Sequence, residues 1–167
     1  RIFNTYGPRM HPNDGRVVSN FVLQALRGQP ITLYGSGSQT RAFCFVDDLI
    51  EGFLRLMATG DEFTGPVNIG SEEMVTINQL VDIVEGIAGI KLKRSYDLTA
   101  PKGVNGRNSE NTLIRKYLGW EPNTPLKVGL EKTYRWIYDE YMAHSFHMVE
   151  VELNKYYDQF QIKLYEE

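Results

Sequence analysis

Short apolar runs alternate along this chain with segments whose apolar residues recur at helical spacing, and Gly or Pro marks most of the boundaries. Helices packed on short strands satisfy that alternation, so the expected class is α/β or α+β. Ile2-Phe3 reads as a strand, followed by a loop through Gly15. Val17, Val18, Phe21, Val22, Ala25 and Leu26 predict a helix that Gly28 and Pro30 stop. Ile31–Tyr34 and Thr40–Val46 read as strands joined by the hairpin turn Gly35-Ser36-Gly37-Ser38. Asp47-Asp48 is expected to cap a helix whose apolar face is Leu49, Ile50, Phe53, Leu54, Leu56 and Met57. Pro66–Gly70 reads as a short strand. Thr76 is the expected cap of a helix carrying Ile77, Leu80, Val81, Val84 and Ile87, which Gly89 ends. Lys91–Tyr96 reads as an edge strand. The polar loop Ala100–Asn108 then leads to a short helix over Ser109–Leu118, broken by Gly119-Trp120-Glu121-Pro122. Leu126 to Met142 predicts a last helix with Val128, Leu130, Tyr134, Ile137 and Tyr141 inward. The division expected is one unit over 1–142 and an atypical tail over 143–167, helical or disordered.

The bulk numbers narrow the class. Hydrophobic residues make up 42% and charged residues 23% of 167, the balance of a soluble globular protein. A net charge of −3 supplies no electrostatic drive toward nucleic acid or an anionic membrane. No apolar run approaches the roughly 18 residues of a membrane-spanning helix. The lone cysteine, Cys44, suits a reducing cytoplasm, the expected location. A start at Arg1, at once strand-like, predicts that the sequence belongs to a longer protein.

Gly35-Ser36-Gly37-Ser38-Gln39-Thr40 invites comparison with a dinucleotide-binding loop. Such a loop joins a strand to a helix and offers amides at the helix N-terminus; this one is expected to join two strands. Arg41 opens the strand after the turn. Its guanidinium suits a pyrophosphate, forking onto two phosphate oxygens, and equally suits an ion pair with Asp47 or Asp48. Arg107 lies in Gly103-Val104-Asn105-Gly106-Arg107-Asn108-Ser109, where Asn108 and Ser109 could cap the next helix and its N-terminus meet an anion. Tyr34 could stack on a base or fill the core. His11, His144 and His147 have no partners at metal-ligand spacing, so no metal is expected. Cys44, inside an apolar strand, reads as packing rather than as a nucleophile.

Four segments together resemble the extended short-chain dehydrogenase/reductases, the NAD-dependent epimerase/dehydratase family that remodels nucleotide sugars. They are Arg1 to Arg9, Pro30 to Phe43, Pro66 to Gly70, and Leu118 to Pro122, in family order and spacing. Arg9-Met10-His11 through Asp14-Gly15-Arg16-Val17-Val18 looks most like the UDP-glucuronate decarboxylases. Gly103 to Asn111 instead looks like the GDP-mannose 3,5-epimerases, where the decarboxylases usually carry an Arg-Arg/Lys-Pro-Asp type of segment. The resemblance implies the C-terminal portion of a Rossmann-like fold, mostly the small substrate-binding lobe.

It also implies a chemistry. NAD, bound mainly by an N-terminal half outside this sequence, oxidises a sugar hydroxyl, and decarboxylation, epimerisation or elimination follows. The family's Tyr-x-x-x-Lys pair is absent, since none of the ten tyrosines has Lys four residues on. No catalytic residue is therefore assigned, and the segment alone is expected to be inactive. By resemblance, Asn4 contacts sugar or phosphate, Tyr34 lies by the base, and Arg41 with Arg107 clamps the diphosphate. Asn20 and Ser109 are further substrate-side candidates. Thr5, His11 and Arg16 approach the nicotinamide or order its loop. A nucleotide-sugar partner and a homodimeric whole protein complete the expectation. Two other classes stand beside it: a non-catalytic nucleotide-sugar binding module and an assembly element built on the tail.

Overall fold

A computed structural model describes residues 1–61, 63–101 and 103–143. The expected tail at 143–167 lies, after its first residue, outside the described residues. Strands are β1 (Thr5–Tyr6), β2 (Ile31–Tyr34), β3 (Thr40–Ala42), β4 (Cys44–Phe45), β5 (Met74–Thr76), β6 (Arg94–Asp97) and β7 (Gly106–Arg107). Helices are α1 (Val17–Leu26), α2 (Val46–Met57), α3 (Ile77–Ala88), α4 (Thr112–Leu118) and α5 (126–143). The mixed α/β class holds.

The strands form three small sheets. β1 pairs in parallel with β4, Thr5 opposite Cys44, and a parallel bridge joins Ile2 to Ile69. β2 runs parallel to β6 from Ile31↔Arg94 to Tyr34↔Asp97. In the third sheet β3 lies between β5, antiparallel, and β7, parallel. Parallel pairing requires long crossovers, and helices on the strands shield them from water.

Several local expectations change under that topology. The glycine turn is not a hairpin turn, because β2 and β3 pair in different sheets. Its carbonyls instead accept the first amides of α3, Ile77 N to Gln39 O (3.1 Å) and Asn78 N to Gly37 O (3.0 Å). Residues 40–46 are not one strand either: β3 goes to one sheet and β4 to another, while Val46 already starts α2. Phe45 holds the N-cap position of α2, and Asp47 and Asp48 lie in its first turn. There a carboxylate meets the positive helix end. Asp48 moreover accepts the Thr124 amide (2.9 Å) and hydroxyl (3.0 Å). The polar loop hides β7, and its short helix starts at Thr112, not Ser109. Ile50, Leu54 and Met57 of α2 are exposed, as is Val128 of α5, so those apolar faces are narrower than their spacing suggested.

The core sits between α1, α3, α5 and the strands. Phe21, Ile31, Leu33, Phe43, Leu80 and Leu130 pack with Tyr6, whose hydroxyl donates to Leu126 O (3.2 Å). Each fully buried large apolar side chain contributes about 1.5–3 kcal/mol. A second cluster, Cys44, Leu49, Val67, Ile69 and Ile114, backs β4 and carries Trp120 at its edge. Polar anchors orient the helices. Thr76 and Gln79 form a capping box on α3, and Gly89 ends it in the left-handed conformation. The Glu73 carboxylate accepts Leu126 N (2.8 Å) at the start of α5.

Candidate functional site

The three-stranded sheet organises the site. Arg41 of β3 stands in register with Arg107 of β7. Paired residues on neighbouring strands project from the same face, so the two arginine side chains leave the sheet from adjacent positions. Like charges so placed repel, and a polyphosphate between them would turn that repulsion into attraction. The strands are held close: Thr40 N donates to Asn105 O (2.8 Å), and a Cβ on Gly106 would come within 2.8 Å of Thr40 Oγ1. A larger residue at position 106 would have to displace that hydroxyl. Arg41 Nη1 donates to its neighbour's carbonyl, Thr40 O (2.7 Å), which turns the guanidinium back along the strand.

Asn4 and Tyr34 flank this pair. Asn4 Nδ2 donates to Ala42 O (2.9 Å), placing the amide at the end of β3. Tyr34 is exposed at the end of β2, and its carbonyl accepts Gln39 Nε2 (2.8 Å), which ties it to the residue before β3. Asn4, Tyr34, Arg41 and Arg107 thus gather around one short strand.

Thr5 and Arg16 belong to an adjoining cleft of about 600 Å³, lined also by Gly7, Arg9, Met10 and Asp47. Gly7 packs against Val46, where a Cβ would approach Val46 Cβ to 2.9 Å, so the turn lies on the first residue of α2. Arg16 Nη1 donates to Thr5 O (3.2 Å) and its Nε pairs with Asp14 at 2.6 Å. Burial pushes the Asp14 carboxyl up. The Ser19 hydroxyl and the amide and guanidinium of Arg16 outweigh this and hold it below the usual carboxylate range. Asn20 faces the same loop from α1, its Nδ2 on Gly15 O (3.1 Å). His11 is exposed and does not line the cleft; its Nδ1 accepts the Asn13 amide (3.1 Å).

Ser109 lies elsewhere. It is fully buried, and its hydroxyl donates to Asn111 Oδ1 (2.5 Å), not toward the face bearing the arginines. Cys44 is also fully buried, and burial with Asp48 nearby pushes its thiol up to about 12, which leaves it inert at neutral pH. Among the described residues, no three His, Cys, Asp or Glu side chains gather as a metal would require. Nor is any described helix long and apolar enough to cross a membrane.

Sequence reasoning missed Arg9, Asp47 and Asn111. Arg9 is the one described non-glycine residue in the left-handed region, at φ 67°, beside Pro8 and on the cleft. The Gly7-Pro8-Arg9 turn was the available signal for it. Asn111 gave none, because the expected helix begins at Ser109 and places Asn111 inside it, with Asn108 and Ser109 as the expected caps.

Residues 1–70 match a family model described as the NAD dependent epimerase/dehydratase family. UDP-glucuronic acid decarboxylase 1 of Danio rerio is 47% identical over 136 residues, 80% of this chain and 31% of its own length. UDP-glucuronic acid decarboxylase 5 of Arabidopsis thaliana is 45% identical over 130 residues, 78% of this chain and 38% of its own. The chain therefore spans about a third of the length of the curated relatives it matches. Among solved structures, UDP-glucose 4-epimerase of Thermotoga maritima with UDP-glucose superimposes with a TM-score of 0.78 at 31% identity. That match covers 84% of this chain and 45% of the other. UDP-glucuronic acid 4-epimerase of Bacillus cereus, in complex with UDP-glucuronic acid and NAD, gives 0.76 at 29% identity, covering 82% and 43%.

Proposed function

Residues 1–70 belong to the NAD dependent epimerase/dehydratase family, and from that premise we propose that this chain is the substrate-binding part of an NAD-dependent nucleotide-sugar enzyme. The specific activity proposed is decarboxylation of UDP-glucuronate to UDP-xylose. The observation that carries it is the in-register pair Arg41 and Arg107, beside a 47% identity to a UDP-glucuronic acid decarboxylase.

The residues divide the work by position. Arg41 and Arg107 hold the diphosphate, Tyr34 stacks on the base, and Asn4, at the end of β3, reaches the sugar. Fixing a dianion at two points orients the sugar, a contribution to rate that needs no proton transfer from this chain. NAD, where bound, supplies reversible oxidation of a sugar hydroxyl to a ketone, which labilises the neighbouring carbon. The cleft beside Thr5 and Arg16 fits one edge of such a cofactor, with Arg9 and Arg16 for its charge and Met10, Val46 and Ile50 for a flat ring, Asp47 being the one acidic residue of its lining. A glycine loop feeding a helix, which would cradle its pyrophosphate, is not formed here: the carbonyls of the glycine turn occupy the first amides of α3. Thr5, Arg16 and, from its loop, His11 are accordingly assigned to the nicotinamide side only. Asn20 supports that loop. Residues 1–142 act as one binding unit in this reading, with a cytoplasmic, homodimeric whole protein.

The Gly103–Asn111 segment favours a second reading, GDP-mannose 3,5-epimerisation, since β7 and Arg107 lie within it. Calorimetry of the whole protein with UDP-glucuronate and with GDP-mannose separates the two. We expect UDP-glucuronate to bind, and Arg41→Ala to weaken it about 10- to 150-fold, the effect of losing a charged hydrogen bond. Tight binding of GDP-mannose instead would select the epimerase, and tight binding without turnover a binding module. Binding unaffected by Arg41→Ala would sink the clamp.

A further inference from the structure

Asn111 is completely buried, yet its side chain makes three polar contacts and its backbone amide a fourth, a density that a helix cap alone does not call for. Its Oδ1 accepts the Ser109 hydroxyl (2.5 Å), and its Nδ2 donates to Gly70 O (2.9 Å) and to Glu121 Oε2 (3.1 Å). Its amide donates to Glu72 Oε1 (3.0 Å). Arg115 closes the ring, Nη1 lying 2.7 Å from Glu121 and 3.2 Å from Glu72. Ser109, also completely buried, donates its own amide to Ser71 O (3.4 Å). Its Cβ is so close that a Cβ on Gly70 would approach it to 2.8 Å and Phe3 Cβ to 2.9 Å.

The hub has two exits. One is β7, because Ser109 stands two residues after Arg107. The other is Phe3, the residue before Asn4. Ser109 and Asn111 are buried with their polar groups partnered, while Glu72, Arg115 and Glu121 join from a part-exposed rim. A satisfied buried pair holds one arrangement, because any departure strands a donor or acceptor away from water. Arg107 lies on an exposed two-residue strand at the sheet edge, paired on one side with β3 and continued on the other by the chain that enters the hub.

We propose that Ser109 and Asn111 are positioning residues whose buried network sets Arg107 opposite Arg41 for the diphosphate of the substrate. Ser109 then serves the substrate through Arg107 rather than by touching it. This rests on the diphosphate-clamp reading above.

The test is a double-mutant cycle on the whole protein, with UDP as the calorimetric probe and NAD affinity and thermal midpoint measured alongside. Arg107→Ala is the reference. Ser109→Ala should weaken UDP by about 5- to 10-fold, the effect of leaving a buried acceptor without its donor, while NAD affinity stays unchanged. In the Arg107→Ala background the same substitution should bring no further loss. A UDP affinity untouched by Ser109→Ala, even if the midpoint falls, would overturn the inference, leaving the hub merely structural. So would an equal loss in both backgrounds, since Ser109 would then act independently of Arg107. If Arg107→Ala itself left UDP binding intact, the clamp would fail, and the positioning role with it. Should Ser109→Ala not fold, Ser109→Cys keeps a small side chain and a weak donor in the same place.

Discussion

Tyr6 and Phe45 press against α5 at Gly129. A Cβ there would lie 2.9 Å from Tyr6 Cζ and 2.8 Å from Phe45 Cδ2, both in rings that are almost fully buried. Alanine ordinarily gains about 1 kcal/mol over glycine inside a helix. Here the ring edges have nowhere to go, and overpacking costs about 1–3 kcal/mol. Gly129→Ala is therefore expected to lower the denaturant midpoint of the protein, with stability down by about 1 kcal/mol or more. A stabilised variant would mean that α5 shifts freely on the rings. The same distinction separates what could be seen at single residues. Arg41 and Arg107 were legible, because a permanent planar cation beside glycines carries its chemistry in its identity. Asn111 and Arg9 were not: one matters through burial, the other through a backbone angle, and neither property is a residue type.

At the scale of elements, α3 is the best specified. Its apolar spacing, Thr76 at the start and Gly89 at the end all agree, and the structure realises each. Thr76 Oγ1 accepts the Gln79 amide (3.0 Å) while Gln79 Oε1 accepts the Thr76 amide (2.8 Å). Thr76→Ala removes the hydroxyl half of that box, leaving the Gln79 amide without its side-chain acceptor while the residue-76 amide can still donate to Gln79, and is expected to cost about 1 kcal/mol, seen as a lower thermal midpoint. Thr76→Ser should restore most of it; no recovery would show that the methyl packing, not the cap, was lost. Helices α1 and α5 were legible from apolar spacing without such caps, Arg16 making no side-chain cap hydrogen bond at the start of α1. The stretch 40–46 was not, because a run of apolar residues does not say which neighbour each half will pair with. The glycine turn failed as a hairpin on the same ground: turn residues permit reversal, but strand pairing decides whether the flanking strands meet.

Across the whole molecule, an ion cluster around the buried Glu85 ties α3 to β6 and so to the sheet with β2. Glu85, almost fully buried, accepts the Leu92 amide (3.0 Å) and pairs with Lys91 and Arg94, each at 2.9 Å; Asp82 shares Arg94. Burial pushes the Glu85 carboxyl up, but the Leu92 amide, Lys91 and Arg94 outweigh it and hold it at about 2, below its ordinary 4.5. A carboxyl depressed on folding stabilises the protein fully above its unfolded value and loses that effect as pH falls toward the folded one. We expect the contribution, on the order of 3 kcal/mol, to be intact at pH 6 and to fade between about pH 4.5 and 2. Thermal melts of wild type and Glu85→Gln should accordingly converge as pH drops; a gap that stayed constant would remove Glu85 as the titrating group.

By itself the sequence determined the alternation of helices and strands, the helices whose apolar spacing is regular, and the permanent charge of the two arginines proposed as a clamp. These depend on periodicity, backbone preference and side-chain charge, all local to a few residues. The tertiary structure decided that the strands divide among three sheets, and that Arg41 and Arg107, far apart in the chain, stand in register. It also decided that Ser109 and Asn111 are buried behind them. Pairing and burial depend on what the rest of the chain places alongside a residue, and no window of neighbours along the sequence contains that information.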